Sequence, residues 1–357
     1  MWKHTAYSVG YLEKILEMAQ EYYGPENDIA NRDFLLHQYF ENPSGDAIID
    51  LAVDKDNNVL AGQYIVCPMA FQINGQRVRC VNSLNTLTRE TYQGQGIFTE
   101  LAREVYRKSS EEGYAFCYGM PNQNSYPGFI KKLDFTDLGP VPLMLRPLYP
   151  SNMIKEFTQH KLLSFFARPT DQIFKIRAKC PLSGIEIVPV TYKNLALMDQ
   201  FWQVVKEKYP IMNIRSASYL RFRYLDMPRR MYYPYVALQN QMPVGFAVGR
   251  LMKVAGMQCA MMAEFLYGNG YENAANQLLN KVLFDMQERG ANLAGCLMLK
   301  HTEEALLLKK NGFFQCPRKL EPQPFPLILR VFDNSMEIHG ISNIKNWFFT
   351  MGDYDVI

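Results

Sequence analysis

Thr86-Leu87-Thr88-Arg89-Glu90-Thr91-Tyr92-Gln93-Gly94-Gln95-Gly96-Ile97-Phe98 passes from a strand, through a loop with two glycines, into a helix. The helix is read from its periodicity. Ile97, Phe98, Leu101, Ala102, Val105 and Tyr106 fall on one face, and Thr99, Glu100, Arg103, Glu104 and Arg107 on the other. A helix that starts directly after glycines offers unpaired N–H groups and a partial positive charge, and glycine lets a pyrophosphate approach the backbone. The stretch reads as a phosphate-binding loop in a domain of strands and helices.

Working outward, the strand before the loop is one arm of a hairpin. Strands over 60–73 and 77–88 are joined at Asn74-Gly75, the strongest two-residue hairpin signal. A strand over 48–53 precedes them, and before it come an amphipathic helix over 11–22 and a short helix that stops at Pro43. After the loop helix (97–111), a buried strand over 114–118, a helix over 128–133 and a strand over 141–145 close the domain. This predicts an α/β (α+β) fold, a mixed and mostly antiparallel twisted sheet flanked by helices.

The same order is written twice. Asp33 to Pro43 resembles Ser218 to Pro228, two aromatic-rich helices whose prolines stand 185 residues apart, 43 to 228. Ala61-Gly62 matches Val244-Gly245 at an offset of 183, and Lys131-Lys132-Leu133-Asp134-Phe135 matches Lys309-Lys310-Asn311-Gly312-Phe313 at 178. Two tandem copies are expected, over 1–150 and 184–333. A helix-forming segment over 151–183 with Phe157, Leu162, Leu163, Phe165 and Phe166 links them, and a tail over 334–357 carries Trp347-Phe348-Phe349, expected to dock on one copy. A chain of 357 residues suits two domains.

Bulk composition excludes several functions. With 48% hydrophobic and 20% charged residues and a net charge of +3, nothing argues for nucleic acid or an anionic membrane. The segment 1–23 carries Lys3, Glu13, Lys14, Glu17 and Glu21, so it is not read as a signal peptide, and no run approaches the ~18 apolar residues of a membrane span. The seven cysteines form no CxxC, and the five histidines show no HxH or HxxxH spacing. A cytoplasmic protein with reduced cysteines and no metal is expected.

Three phosphate-loop chemistries compete for the glycine loop. A Walker loop needs Gly-Lys-Ser/Thr, but Ile97 and Phe98 follow Gly96. A dinucleotide fingerprint needs a third glycine where Thr99 stands, after a strand that opens a βαβ unit. The third pattern is [Gln/Arg]-x-x-Gly-x-[Gly/Ala], the acyl-CoA loop of GNAT-type N-acetyltransferases, and the sequence resembles it. Gln93 and Gly96 match, Phe98 replaces the final small residue, and the element order of copy one is similar throughout.

The resemblance implies an N-acetyltransferase that moves an acyl group, most simply acetyl, from acetyl-CoA or another acyl-CoA to a primary amine of a small-molecule acceptor. Main-chain groups of Gln95, Gly96, Ile97 and Phe98 would hold the pyrophosphate, with Gln93 and Gly94 completing the loop. Main-chain groups of Thr86, Leu87 and Thr88 would pair with the pantetheine arm, and Asn122 or Asn124 would contact the cofactor. The family's usual acid, a tyrosine, falls on Ile130, so Tyr126 and Ser125 are the candidates. No carboxylate lies on the strand over 78–88, so Asn82, Ser83 and Asn85 are left to hold a water relay or the acceptor. Asp353, Asp355 or the terminal carboxylate of Ile357 are alternative bases, because some tandem-domain relatives place a chain terminus in the active site.

The second copy lacks the loop, showing Gly268-Asn269-Gly270-Tyr271-Glu272 instead. It is expected to be a degenerate GNAT domain that shapes the acceptor pocket or a homodimer surface. Two further readings stand beside the enzyme: a non-catalytic acyl-CoA-binding or regulatory protein, and a tRNA-dependent aminoacyl transferase of the related tandem type.

Overall fold

Asn74 and Gly75 take φ of 49° and 83° in the computed structural model, the geometry of a type I′ turn. They join Leu60–Ile73 to Gln76–Thr88 with Ile73 facing Gln76. The structure describes every residue except 159–160, 179–181, 255 and 355–357. Its contacts divide the chain into two units: Met1–Pro140 with Asp226–Arg230 and Gln323–Asn346, and Val141–Leu225 with Met231–Pro322 and Trp347–Ile357.

The first unit contains β1 (Trp2–Ala6), α1 (Leu12–Tyr23), α2 (Arg32–Phe40), β2 (Ile48–Asp54), β3 (Leu60–Ile73), β4 (Gln76–Thr88), α3 (Ile97–Glu111), β5 (Phe116–Gly119), α4 (Tyr126–Lys132) and β6 (Thr136–Pro140). The second contains β7 (Leu143–Pro147), α5 (Pro150–Thr158), α6 (Lys161–Phe174), β8 (Ile185–Pro189), α7 (Leu197–Val205), β9 (Ile211–Asn213), α8 (Ala217–Leu220), β10 (Tyr232–Gln239), β11 (Met242–Val254), β12 (Met257–Tyr267), α9 (Glu272–Glu288), β13 (Leu293–Leu297), α10 (Glu303–Lys310) and β14 (Phe314–Gln315). The last strand, β15 (Pro326–Val331), returns to the first unit.

The sheet of the first unit runs β1-β2-β3-β4-β5-β15-β6, and that of the second β8-β10-β11-β12-β13-β7-β14. In each, one neighbouring pair is parallel, β4 with β5 and β12 with β13, and the pairs on either side are antiparallel. The repeat in sequence is thus a repeat in topology, and both sheets are mixed and flanked by helices.

One expectation fails. The strand placed over 141–145 does not close the first copy. It runs as β7 between β13 and β14 in the second sheet, and β15 fills the corresponding place in the first. Pro140 and Pro142 flank Val141; both fix φ and lack an N–H, which disfavours a hairpin from β7 back onto β6.

The core of the first unit lies between its sheet and the α3/α4 face, where Tyr64, Val66 and Val81 meet Ile97, Leu101, Val105, Tyr106 and Phe129. The segment 151–183 forms α5 and α6 within the second unit; Cys180 lies outside the described residues, and the other six cysteines are buried thiols outside any disulfide. The tail over 334–357 does not go to one copy: its part up to Asn346 belongs to the first unit and the part from Trp347 to the second. Trp347, Phe348 and Phe349 are buried in the second unit, Trp347 bridging Ile211 and Phe348 stacking on Tyr209 at 5.0 Å.

The hairpin between β10 and β11 turns on Asn240 and Gln241 at φ of 50° and 66°, with Gln239 facing Met242. A side chain other than Asn or Gly at such a φ is strained by roughly 1–2 kcal/mol. Gln241 is exposed, so Gln241→Gly relieves strain without losing packing. Urea unfolding should show the variant about 1 kcal/mol more stable than the parent.

Candidate active site

β4 and β5 are paired at Val81–Cys117 and Asn82–Tyr118, after which β4 continues to Thr88 with no partner on that side among the described residues. Its other side stays on β3 but slips. Gln63 faces Leu87 while Ile65 faces Leu84, so Asn85 and Thr86 oppose Tyr64 alone. This bulge puts Asn85 at φ 49°. Asn85 donates through Nδ2 to Gln38 Oε1 at 2.7 Å and to Tyr39 Oη at 2.9 Å, and its carbonyl accepts from Gln63 Nε2 at 2.8 Å. Its side chain is therefore spent on α2.

Beyond the bulge, Arg89 anchors the chain, donating from Nε to the Leu60 carbonyl at 2.8 Å and pairing with Glu21. Tyr92 donates to Asp54 Oδ2 at 2.9 Å. The loop then uses two left-handed glycines, Gly94 at φ 78° and Gly96 at φ 81°, the second being the N-cap of α3. The N–H groups of Gly94, Gln95, Gly96, Ile97 and Phe98 have no acceptor among the described residues, whereas Thr99 and Glu100 donate to the Gly96 carbonyl. Five free donors at a helix start form an anion cradle. Gln93 lies on the rim, its Nε2 reaching the Thr88 carbonyl at 3.4 Å.

Phe98, the departure from the small-residue pattern, points inward. Its ring lies against Tyr64 and Phe129 at 5.7 and 5.4 Å and over Gly128, where a Cβ would stand 2.8 Å from it. Gly128 makes the room that Phe98 needs, and the backbone of the loop stays open.

The other candidates do not converge on one hydrogen-bonded group. Tyr126 opens α4 and donates to Asp137 Oδ2 at 2.6 Å, and this bond to a carboxylate raises its pKa above the ordinary tyrosine value. Ser125 and Asn124 are held by Asn122, whose Oδ1 accepts from both their N–H groups at 3.0 Å, so the Asn122 carboxamide oxygen organises the turn into α4. Ile130 packs against the core. Sequence reading missed a buried chain of hydroxyls beside the strand ends: Ser83 Oγ is 3.0 Å from Tyr64 Oη, which bonds in turn to Tyr106 Oη. Burial pushes both phenols far above the ordinary range. Only the periodicity of α3, which buries Tyr106, hinted at it.

Residues 8–136 match the family model for the acetyltransferase (GNAT) domain. The N-terminal unit carries a GNAT domain. Solved structures share its fold across nearly the whole chain. A GCN5-related N-acetyltransferase from Anabaena variabilis ATCC 29413 superposes at a TM-score of 0.65 with 13% identity, covering 93% of this chain and 73% of that one. Saccharomyces cerevisiae N-myristoyltransferase with bound myristoyl-CoA gives 0.64 and 10%, covering 92% and 82%. A conserved protein of Enterococcus faecalis V583, described as a probable N-acyltransferase, gives 0.62 and 11%, covering 93% and 73%. Comparison with curated protein sequences gives no match. The fold is thus two GNAT-like domains, each a mixed sheet flanked by helices. No helix among the described residues is long and apolar enough to cross a membrane.

The helix start of the second copy is built differently: Gly270 is left-handed, but the N-cap itself is a tyrosine with ordinary φ. α9 starts after Tyr271 at φ −108°, with Glu272 in its first turn, and a Cβ on Gly268 would stand 2.6 Å from Val204 Cγ1. Of the alternative bases, Asp353 is not free. Asp353 is buried and paired with Arg215 Nη2 at 2.8 Å; Arg215 also holds Glu264 Oε2 at 3.2 Å, and Thr350 Oγ1 donates to that oxygen at 3.1 Å. Asp355 and Ile357 lie outside the described residues. His301 Nε2 bonds the Trp347 carbonyl at 3.0 Å.

Arg215 is fully buried, so Arg215→Met leaves carboxylates without their cation at a cost of about 3–5 kcal/mol. Burial already raises the Glu264 pKa against the pull of Arg215, and removing Arg215 raises it further. A carboxyl with a raised folded pKa takes up a proton on folding, so its penalty is present at high pH and fades as pH falls. Urea unfolding of the variant at about pH 8 and about pH 5 should show the deficit shrinking at the lower pH.

Proposed function

We propose that the N-terminal GNAT domain binds an acyl-CoA, most simply acetyl-CoA, and transfers the acyl group to a primary amine of a small acceptor. The observation that carries this is the row of free N–H groups from Gly94 to Phe98, built around two left-handed glycines and following the strand end where β4 has parted from β5. The cradle takes the pyrophosphate, and the unpaired edge of β4 at Thr86, Leu87 and Thr88 takes the pantetheine arm as an added strand. No metal is called for.

The reaction is direct attack of a neutral amine nitrogen on the thioester carbon. A C–N bond forms, the C–S bond breaks with its electron pair on sulfur, and the amine proton passes to solvent or a base. Tyr126, whose phenol keeps its proton and donates it to Asp137, is the candidate to serve the leaving sulfur. A non-catalytic acyl-CoA-binding role is the second reading, favoured by the absence of any carboxylate on β4 and by the engagement of Asn85 with α2.

Acetyl-CoA at about 100 times its Kd should stabilise the protein by about 2.7 kcal/mol, read as a rise in Tm. Gln95→Glu places a carboxylate in the cradle at a residue with ordinary φ, and should leave the unliganded Tm unchanged while removing most of the rise. Gly96→Glu should abolish it. No rise with acetyl-, propionyl- or succinyl-CoA rejects the reading, and product formation across a panel of amines separates transfer from binding.

A further inference from the structure

The hydroxyl chain Ser83–Tyr64–Tyr106 has one internally consistent direction. Tyr64 is fully buried and Tyr106 nearly so, and the Tyr106 hydroxyl has Tyr64 Oη as its hydrogen-bond partner among the described residues. If Tyr64 donated to Tyr106, the Tyr106 proton would have no acceptor inside the core, which costs about 1–3 kcal/mol. The satisfied arrangement is the reverse. Tyr106 donates to Tyr64, Tyr64 donates to Ser83 across 3.0 Å, and the Ser83 proton is left to point away from the chain.

That free proton is set beside the parting of the strands. Ser83 is half-buried and is the first residue of β4 past its last pair with β5, Asn82–Tyr118. It shares the α3/α4 face with its cross-strand neighbour Val66 and with Tyr64. The residue next to it on β5 is Gly119, where a Cβ would stand 3.6 Å from the Ser83 Cβ; having none, that position leaves a methyl-sized space. A donor fixed by two buried phenols therefore faces the gap that the cradle and the free edge of β4 adjoin.

We propose that Ser83 donates a hydrogen bond to the thioester carbonyl oxygen of the bound acyl-CoA, and that Tyr64 and Tyr106 are positioning residues that fix its proton outward. This rests on the acyl-CoA reading above. The carbonyl oxygen is the target because a thioester sulfur is a much weaker acceptor. As the amine adds to the carbonyl carbon, negative charge gathers on that oxygen and the bond strengthens, then relaxes when the C–S bond breaks. Ser83 keeps its proton throughout, so no further proton acceptor is needed.

The test uses the full chain and acetyl-CoA labelled with ¹³C at the carbonyl. Isotope-edited infrared difference spectra report the carbonyl stretch, and the Tm rise in the same samples reports binding. In the parent protein the stretch should fall on binding. Ser83→Ala should bind acetyl-CoA and return the stretch towards its free value, and Tyr106→Phe, which releases the direction of the chain while keeping the ring, should return it part of the way. Tyr126→Phe should leave it where it is in the parent. Binding by Ser83→Ala with the carbonyl stretch unmoved overturns this proposal alone, and so does a stretch that follows Tyr126→Phe instead. Absence of binding in the parent removes the acyl-CoA reading and this one with it. If Ser83→Ala fails to fold, Ser83→Thr and Tyr106→Phe carry the decision, the former keeping the lowered stretch and the latter losing part of it.

Discussion

The first turn of α3 lies so close to β3 that only glycine fits beneath it. A Cβ on Gly62 would stand 2.8 Å from Ile97 Cγ2, and the Leu87 carbonyl and Thr88 hydroxyl are each 3.3 Å away. This approach brings the start of α3, with its unpaired N–H groups, against the strand end that runs into the loop. A larger residue at 62 would lift the helix and part the cradle from β4. The second copy repeats the constraint, since a Cβ on Gly245 would meet Leu278 of α9 at 3.2 Å. The matched glycines of the internal repeat thus mark one packing requirement, met twice.

A second contact is repeated with altered chemistry. Gly62 pairs with Thr88 and Gly245 with Tyr267; three residues back from those partners stand Asn85 and Glu264. Each bonds a tyrosine four residues before the matched proline: Asn85 to Tyr39 at 2.9 Å and Glu264 to Tyr224 at 3.0 Å. The strands are bulged nearby in both copies. A polar side chain at this irregular point of the strand holds the aromatic helix in place. The same demand accounts for the spending of the Asn85 carboxamide on α2.

What the sequence made legible was whatever is decided within a few residues. Asn74-Gly75 specifies its own turn, the glycines at 94 and 96 specify a left-handed entry to α3, and the α3 periodicity specifies its buried face. The exchange of β7 and β15 between sheets was not legible, because an apolar strand looks alike whichever sheet receives it. The sign was the pair Pro140 and Pro142, which bears on a hairpin rather than on a destination. The Asn85 bulge has no glycine to announce it. The contact from Ser83 to Tyr64 spans 19 residues of strand and the pairing of Arg215 with Asp353 spans 138, beyond any local pattern. Asp353, read alone near a chain end, looks like a free carboxylate; its cation is known only from the fold.

The two copies divide along the same line. In the second, Glu264 supplies a carboxylate where the first has Asn85, yet it is fully buried and held by Arg215, Tyr224 and Thr350. The segment holding Thr350 and Asp353 passes so closely that a Cβ on Gly352 would stand 2.2 Å from the Tyr224 hydroxyl and 2.3 Å from Glu264 Oε1. A carboxylate so enclosed serves to hold the tail, because a proton acceptor must reach the nitrogen it serves. The helix start beside it has lost its left-handed N-cap and gained Glu272, which opposes an anion. The first copy shows the converse. Its helix start keeps a left-handed glycine as N-cap, with its acidic residue, Glu100, three residues further in, its strand edge is open among the described residues, and beside it stands a neutral hydroxyl bonded to buried phenols. Charge in the second copy is spent inside the fold, while in the first the uncommitted hydrogen-bonding capacity is collected at one place on the surface.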